Sequence, residues 1–194
     1  MQGTKKTVVL ILILASFRLG TAVPVTGATN TKTDVPDVRT PALSEQARED
    51  AALALIRFPW QKLKFQIVFM PPRHGFRAMI FPEKHRIEVY ARPQDDTRLL
   101  AYDIAHELGH AIDVTRNTSE TRKKWMKSRG INPATPWFGC NRCSDYSTPA
   151  GDFAETFALL LLGPGHFEGR IAPSPNANQI PELSSFFPEF RQKP

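Results

Sequence analysis

Two histidines four residues apart, His106 and His110, with Glu107 directly after the first, are the residues of this chain best suited to chemistry. On a helix, positions four apart share one face, so the two imidazoles can hold one metal ion. Glu107 then stands where it can take a proton from water activated by that ion. The stretch around them is apolar at three- and four-residue intervals, and Leu100, Ile104, Leu108 and Ala111 form the stripe of a buried helix. Gly109 has no side chain, which lets a second helix come close to the pair. The pattern predicts a zinc hydrolase site rather than the polar face of a surface helix.

A catalytic zinc takes three protein ligands and keeps a fourth position open. The third ligand must come from another element, and Asp152 and Glu155 are the acids that a following helix offers. Three apart, they share a face, so one can ligate while the other braces an imidazole N–H. Helix capping is the competing role for Asp152. Asp103 and Asp113, each three residues outside a histidine, read as supporting or capping groups rather than ligands.

The elements that must position these side chains follow from patterning. A helix is expected over 44–58, capped by Ser44, striped by Ala47, Ala51, Leu55 and Phe58, and ended by Pro59. Leu63, Phe65, Ile67 and Phe69 alternate along a strand at 63–70, stopped by Pro71 and Pro72. Residues 77–81 and 86–91 read as a hairpin with Ile87 and Val89 facing the core. Asp95 or Asp96 caps the histidine helix at 97–115, and a helix at 119–129 is closed by Gly130. A loop at 131–151 carries Trp137, Phe138, Cys140, Cys143, Asp145 and Tyr146. A further helix at 152–162 ends at Gly163 and Pro164, and Leu183, Phe186, Phe187 and Phe190 of the tail pack back.

This order of parts resembles the zincin metallopeptidases whose third ligand is a glutamate. His106-Glu107-Leu108-Gly109-His110-Ala111-Ile112-Asp113 followed by Asp152-Phe153-Ala154-Glu155-Thr156-Phe157-Ala158 is similar to the catalytic domains of anthrax-lethal-factor-like peptidases. It is also similar to bacterial and phage peptidases that cleave repressors, whose second helix ends in a pattern matched here by Phe157-Ala158, Leu161-Leu162 and Pro164. The resemblance spans roughly residues 60–165 and rests on two short motifs. It implies an α+β fold, a minimal zincin-like domain with a small twisted sheet, an edge strand beside the metal helix and a second, acid-bearing helix.

In those relatives the ligating glutamate stands four residues before a second acid. With Glu155 as that second acid, the ligand position falls on Gly151, which cannot bind metal. The preferred assignment moves the role to Asp152 and puts Glu155 behind or beside His106; ligation by Glu155 itself is the other. The resemblance also implies a tyrosine upstream of this helix that steadies the oxyanion, a role matched by Tyr146, against that of an ordinary packed loop residue. It implies a peptide substrate added as a strand along 86–91. Trp137 and Phe138 either wall that cleft or pack in the core.

Residues 1–22 read as an export signal: Lys5 and Lys6, an apolar run at 7–17, then Gly20, Thr21 and Ala22. The run is short of the roughly 20 apolar residues of a membrane helix, and an uncleaved N-terminal anchor is the competing reading. Residues 23–43 read as a linker and 44–194 as the metallopeptidase domain. Without the signal, 22 of the 25 basic side chains remain against 19 acidic ones, a net +3. No aromatic-interleaved basic stripe appears, so neither nucleic acid nor a membrane beyond the anchor is expected as a partner. Cys140 and Cys143 are expected to form a local disulfide in an exported protein. These features predict a secreted or cell-surface, zinc-dependent endopeptidase acting on peptides or proteins, with Glu107 as general base and then acid. A zinc-retaining binding module without turnover and a zinc hydrolase of cell-wall amides are the alternatives. Oligomeric state has no signal in the sequence.

Overall fold

The computed structural model describes residues 44–140 and 143–191; the expected export signal and linker lie outside them. Ser44 caps α1 (Glu45–Leu55), its hydroxyl accepting from Ala47 N at 3.2 Å. The buried side of α1 is not the expected stripe: Ala52 is enclosed, while Leu55 is 38% exposed. Ile56 and Phe58, just past the helix, are both buried, and these larger side chains set its rotation. A 3₁₀ turn at Trp60–Leu63 replaces the start of the expected strand, and Lys64, at φ 59°, turns the chain into β1 (Gln66–Met70).

β2 (Ala78–Phe81) and β3 (Arg86–Tyr90) form the expected hairpin around a 3₁₀ turn at Pro82–Lys84. β3 pairs antiparallel with β2 and parallel with β1, giving the order β1-β3-β2. The expected edge strand at 86–91 is therefore the centre of the sheet, and β1 and β2 are its edges. The edge assignment followed from the resemblance, and the strand order overturns it. Ile87 and Val89 enter the core, while Glu88 and Tyr90 lie on the opposite face. There Tyr90 donates to Glu88 Oε2 at 2.7 Å, Arg86 pairs with Glu88, and Arg73 donates to Tyr90 at 3.1 Å.

α2 (Thr97–Arg116) is capped by Asp96, which accepts from Leu99 N at 2.7 Å. Every residue of α2 from Leu100 to Asp113 is buried, because the sheet, α1 and another helix enclose it on several sides. That other helix is α4 (Pro149–Leu162), which begins three residues earlier than the sequence suggests. Thr148 caps it, accepting from Gly151 N at 2.9 Å, and Pro149 fills the first helical position, where no N–H is needed. α4 meets α2 at Gly109: a Cβ there would lie 2.6 Å from Ala154 Cα. Gly109→Ala should therefore overpack the crossing and cost about 1–3 kcal/mol, read by urea denaturation.

α3 (Ser119–Ser128) is closed by Gly130 at φ +65°. A short helix that the sequence did not suggest, α5 (Ile180–Ser184), returns Leu183 and Phe187 to the core, where Phe187 stacks on Phe153 and Phe157. The described residues thus form an α+β fold of five α-helices and a three-stranded mixed sheet. Cys140 and Cys143 are joined in a disulfide. Among the described residues no helix is long and apolar enough to cross a membrane.

Candidate metal centre

One turn apart on α2, the rings of His106 and His110 meet edge to face, 4.9 Å between centroids. Their Nε2 atoms are 3.1 Å apart. The third member of the group is Asp145, at the start of a 3₁₀ turn (Asp145–Ser147) just ahead of α4. Its Oδ2 lies 2.9 Å from His106 Nε2 and 3.1 Å from His110 Nε2. These residues each turn one ligand atom inward, all within 4.8 Å of one another.

Glu155 decides what the inward atoms present. Its Oε1 lies 2.7 Å from His106 Nδ1, and its Oε2 accepts from Glu168 N at 2.6 Å and Tyr102 Oη at 3.3 Å. A carboxylate only accepts, so Nδ1 carries the proton and a neutral His106 turns the lone pair of Nε2 inward. That lone pair faces a carboxylate oxygen at 2.9 Å, an arrangement that needs a cation between the two atoms. A proton can serve: burial lowers the pKa of His106, but the hydrogen bonds and charges of Asp145 and Glu155 win and raise it well above the ordinary value. Asp145 shows the counterpart shift. Burial pushes its pKa up, and the facing His110 and His106 nevertheless hold it well below the usual carboxylate range.

A metal ion satisfies the same lone pairs. Zinc–nitrogen and zinc–oxygen bonds of 2.0–2.2 Å in a tetrahedron set ligand atoms about 3.3 Å apart, a few tenths more than the separations found here. Two nitrogens and one oxygen suit zinc and also divalent iron. The donor set and its spacing therefore fit a metal with only a small outward adjustment.

Glu107 is fully buried, and neither of its carboxylate oxygens has a hydrogen-bond partner among the described residues. Burial pushes its pKa up to about 7, against the partial relief given by His110 and His106. An unpartnered buried acid is a destabilising feature. His110 Nδ1 likewise has no partner among the described residues. Tyr146, next to Asp145, sets its ring edge to face on His106 at 5.6 Å.

Asp152 is not part of this group, which corrects its expected place on the metal. Its Oδ1 and Oδ2 accept from Arg129 at 2.8 and 2.9 Å, and Oδ2 also accepts from Trp125 Nε1 at 3.0 Å. The reason lies in helical phase. The side of α4 that faces α2 carries Gly151, Ala154, Glu155 and Ala158, and Asp152 is turned about 100° from Gly151, toward α3. Nor does Asp152 cap α4, since Thr148 does. Glu155 braces His106 from behind and does not join the inward-facing atoms. Asp103 is held by Arg77 at 2.7 Å, and Asp113 by Arg122 at 2.9 Å and Trp137 at 2.8 Å, so both tie neighbouring elements to α2. Trp137 and Phe138 pack on the core beneath the Arg122 guanidinium.

Asp145 is the residue that sequence reasoning missed. It stands in a loop with no periodicity, and its one signal is adjacency to Tyr146. Asp145→Asn should weaken binding of a divalent metal at this group by on the order of 100-fold or more, beyond the 10–100-fold typical of losing a bracing partner such as Glu155. Asp152→Asn should leave affinity unchanged. Competition with a chromophoric chelator measures both variants. No family model, no curated protein and no solved structure matches the chain.

Proposed function

We propose that this chain is an exported zinc-dependent endopeptidase of the zincin type. One observation carries the reading: a buried acid, Glu107, has no partner among the described residues, beside three ligand atoms that converge on one point. Iron would suit the same donors, but a proton acceptor held ready next to them is what hydrolysis requires. The disulfide accords with an oxidising, extracellular setting.

In this proposal His106, His110 and Asp145 hold the zinc, and Glu155, with Tyr102 behind it, keeps His106 in the ligating tautomer. Zinc bound there would polarise the scissile carbonyl and acidify water. Glu107 accepts the proton of the attacking water at a carboxylate oxygen and passes it to the departing amine. Tyr146 donates a hydrogen bond from its phenolic O–H to the developing oxyanion and keeps its proton. A peptide substrate adds as a strand to the edge of β2, which packs beside α2.

The test incubates the purified chain with a denatured protein, a peptide library and muropeptides, with and without a chelator. Chelator-sensitive cleavage of peptides, lost in Glu107→Gln, is the expected result. Cleavage confined to muropeptides would move the substrate to cell-wall amides. The enclosure of the site favours a second reading, a zinc-holding binding module, because His110 and Glu107 are both 0% exposed. Stoichiometric zinc with no cleavage of any substrate would select it.

A further inference from the structure

Position 151 of α4 stands one turn ahead of Glu155, which touches His106. A Cβ built on Gly151 would lie 2.1 Å from the carbonyl oxygen of Asp145, 2.6 Å from its carbonyl carbon and 2.7 Å from its Oδ2. The residue that supplies the third inward atom thus occupies the space into which a side chain at 151 would grow. Gly151 lies within the regular helix and has no positive φ, so its need for glycine is one of room.

We propose that Gly151 is a positioning residue of the metal centre. Its missing side chain lets the turn at Asp145–Ser147 seat against α4, and only a seated turn brings Asp145 to His106 and His110. An acid from the loop and a side chain from helix position 151 are then mutually exclusive occupants of one place. The inference rests on the reading of His106, His110 and Asp145 as a zinc site, and not on what that site hydrolyses.

Thr148 shows how tightly the seat is drawn. Its hydroxyl oxygen accepts from Gly151 N at 2.9 Å and lies 2.8 Å from Asp145 O and 3.3 Å from Asp145 Oδ1. The obstacle to a Cβ is backbone, which cannot swing aside as the end of a long side chain can. Relieving the 2.1 Å contact moves the Asp145 peptide by about an ångström, while metal–ligand distances tolerate about ±0.2 Å.

Zinc affinity, zinc stoichiometry and thermal stabilisation by zinc are measured for the unaltered chain, Gly151→Ala, Asp145→Asn and the double variant. Gly151→Ala should bind zinc roughly 10–100-fold more weakly, as when a ligand loses its orienting partner. That loss should vanish in the Asp145→Asn background, where there is no ligand left to displace. Alanine is the better helix former, so a purely helical role for Gly151 predicts unchanged zinc affinity and a more stable protein. Equal affinity in the unaltered chain and Gly151→Ala overturns the proposal, as does an equal loss with and without Asp145. Should Gly151→Ala not fold, Asp145→Gly is added, since a glycine backbone at 145 can turn its carbonyl away from the new Cβ; folding of that pair would trace the conflict to residue 145 and support the proposal. Failure of that pair while Asp145→Gly alone folds would overturn it. An unaltered chain that binds no zinc defeats both this proposal and the peptidase reading. Zinc binding without peptide cleavage defeats the peptidase reading alone.

Discussion

In the peptidase proposed above, Glu107→Gln should keep its zinc and its fold and lose peptide hydrolysis by about 10²–10⁴-fold, the range of a positioned general base. The amide nearly matches the carboxylate in shape, so the packing around a fully buried side chain is preserved. What disappears is the ability to accept a proton. The Glu107 carboxylate makes no hydrogen bond to any described residue, so no structural bond is broken by the exchange. Ionising an enclosed carboxyl without a partner is unfavourable, and the neutral amide removes that burden, so thermal stability should hold or rise. Both oxygens are free to engage what enters the site, and that separates Glu107 from the other buried acids. Asp103, Asp113 and Asp152 each face an arginine, and Glu155 faces His106. Initial rates on a peptide substrate, with zinc content measured on the same samples, check the prediction. Activity within tenfold of the unaltered chain, zinc being present, would defeat it.

The parts of this site that were legible in the sequence are those fixed by local geometry. The spacing of His106 and His110 is a property of one helix, and so is the stripe Leu100, Ile104, Leu108 and Ala111, all fully buried. Caps at Ser44 and Asp96 are local too. The approach of another helix at Gly109 could be expected because a missing side chain on a buried stripe leaves room for backbone. Asp145 was not legible, since its position depends on a seat in another element. It stands in a short turn, and only the contact with Gly151 shows why it arrives beside the histidines.

Asp152 misled for a related reason. Whether it faces α2 or α3 depends on the phase of α4, which Thr148 and Pro149 set by starting the helix early. The strand order is likewise a tertiary property. The resemblance implied an edge strand at 86–91, yet β3 pairs on both sides, and Arg86 and Tyr90 satisfy the buried Glu88 within the sheet. Gly151, which seemed to mark a missing ligand, is where the loop acid finds its room.

Arg129→Met should destabilise the fold by about 3–5 kcal/mol, the range for breaking a buried ion pair from one side. Arg129 and Asp152 meet at 2.8 Å with side chains 1% and 0% exposed. Removing the guanidinium leaves Asp152 with Trp125 Nε1 as its donor, too little for a buried charge. The same change cuts the bond from Arg129 to Pro173 O at 2.6 Å, which fastens the chain beyond α4 to the end of α3. Domains of this size are stable by about 5–15 kcal/mol, so the variant should unfold at much lower urea and remain measurable. Pairing Arg129→Met with Asp152→Leu should restore most of the loss, because removing both charges also removes their desolvation. Zinc affinity of the folded fraction decides the role of Asp152. If the acid on α4 were a ligand, the double variant would recover stability and lose the metal. With Asp145 as the ligand, it should recover stability and bind zinc as the unaltered chain does, and chelator competition on the refolded protein separates the two.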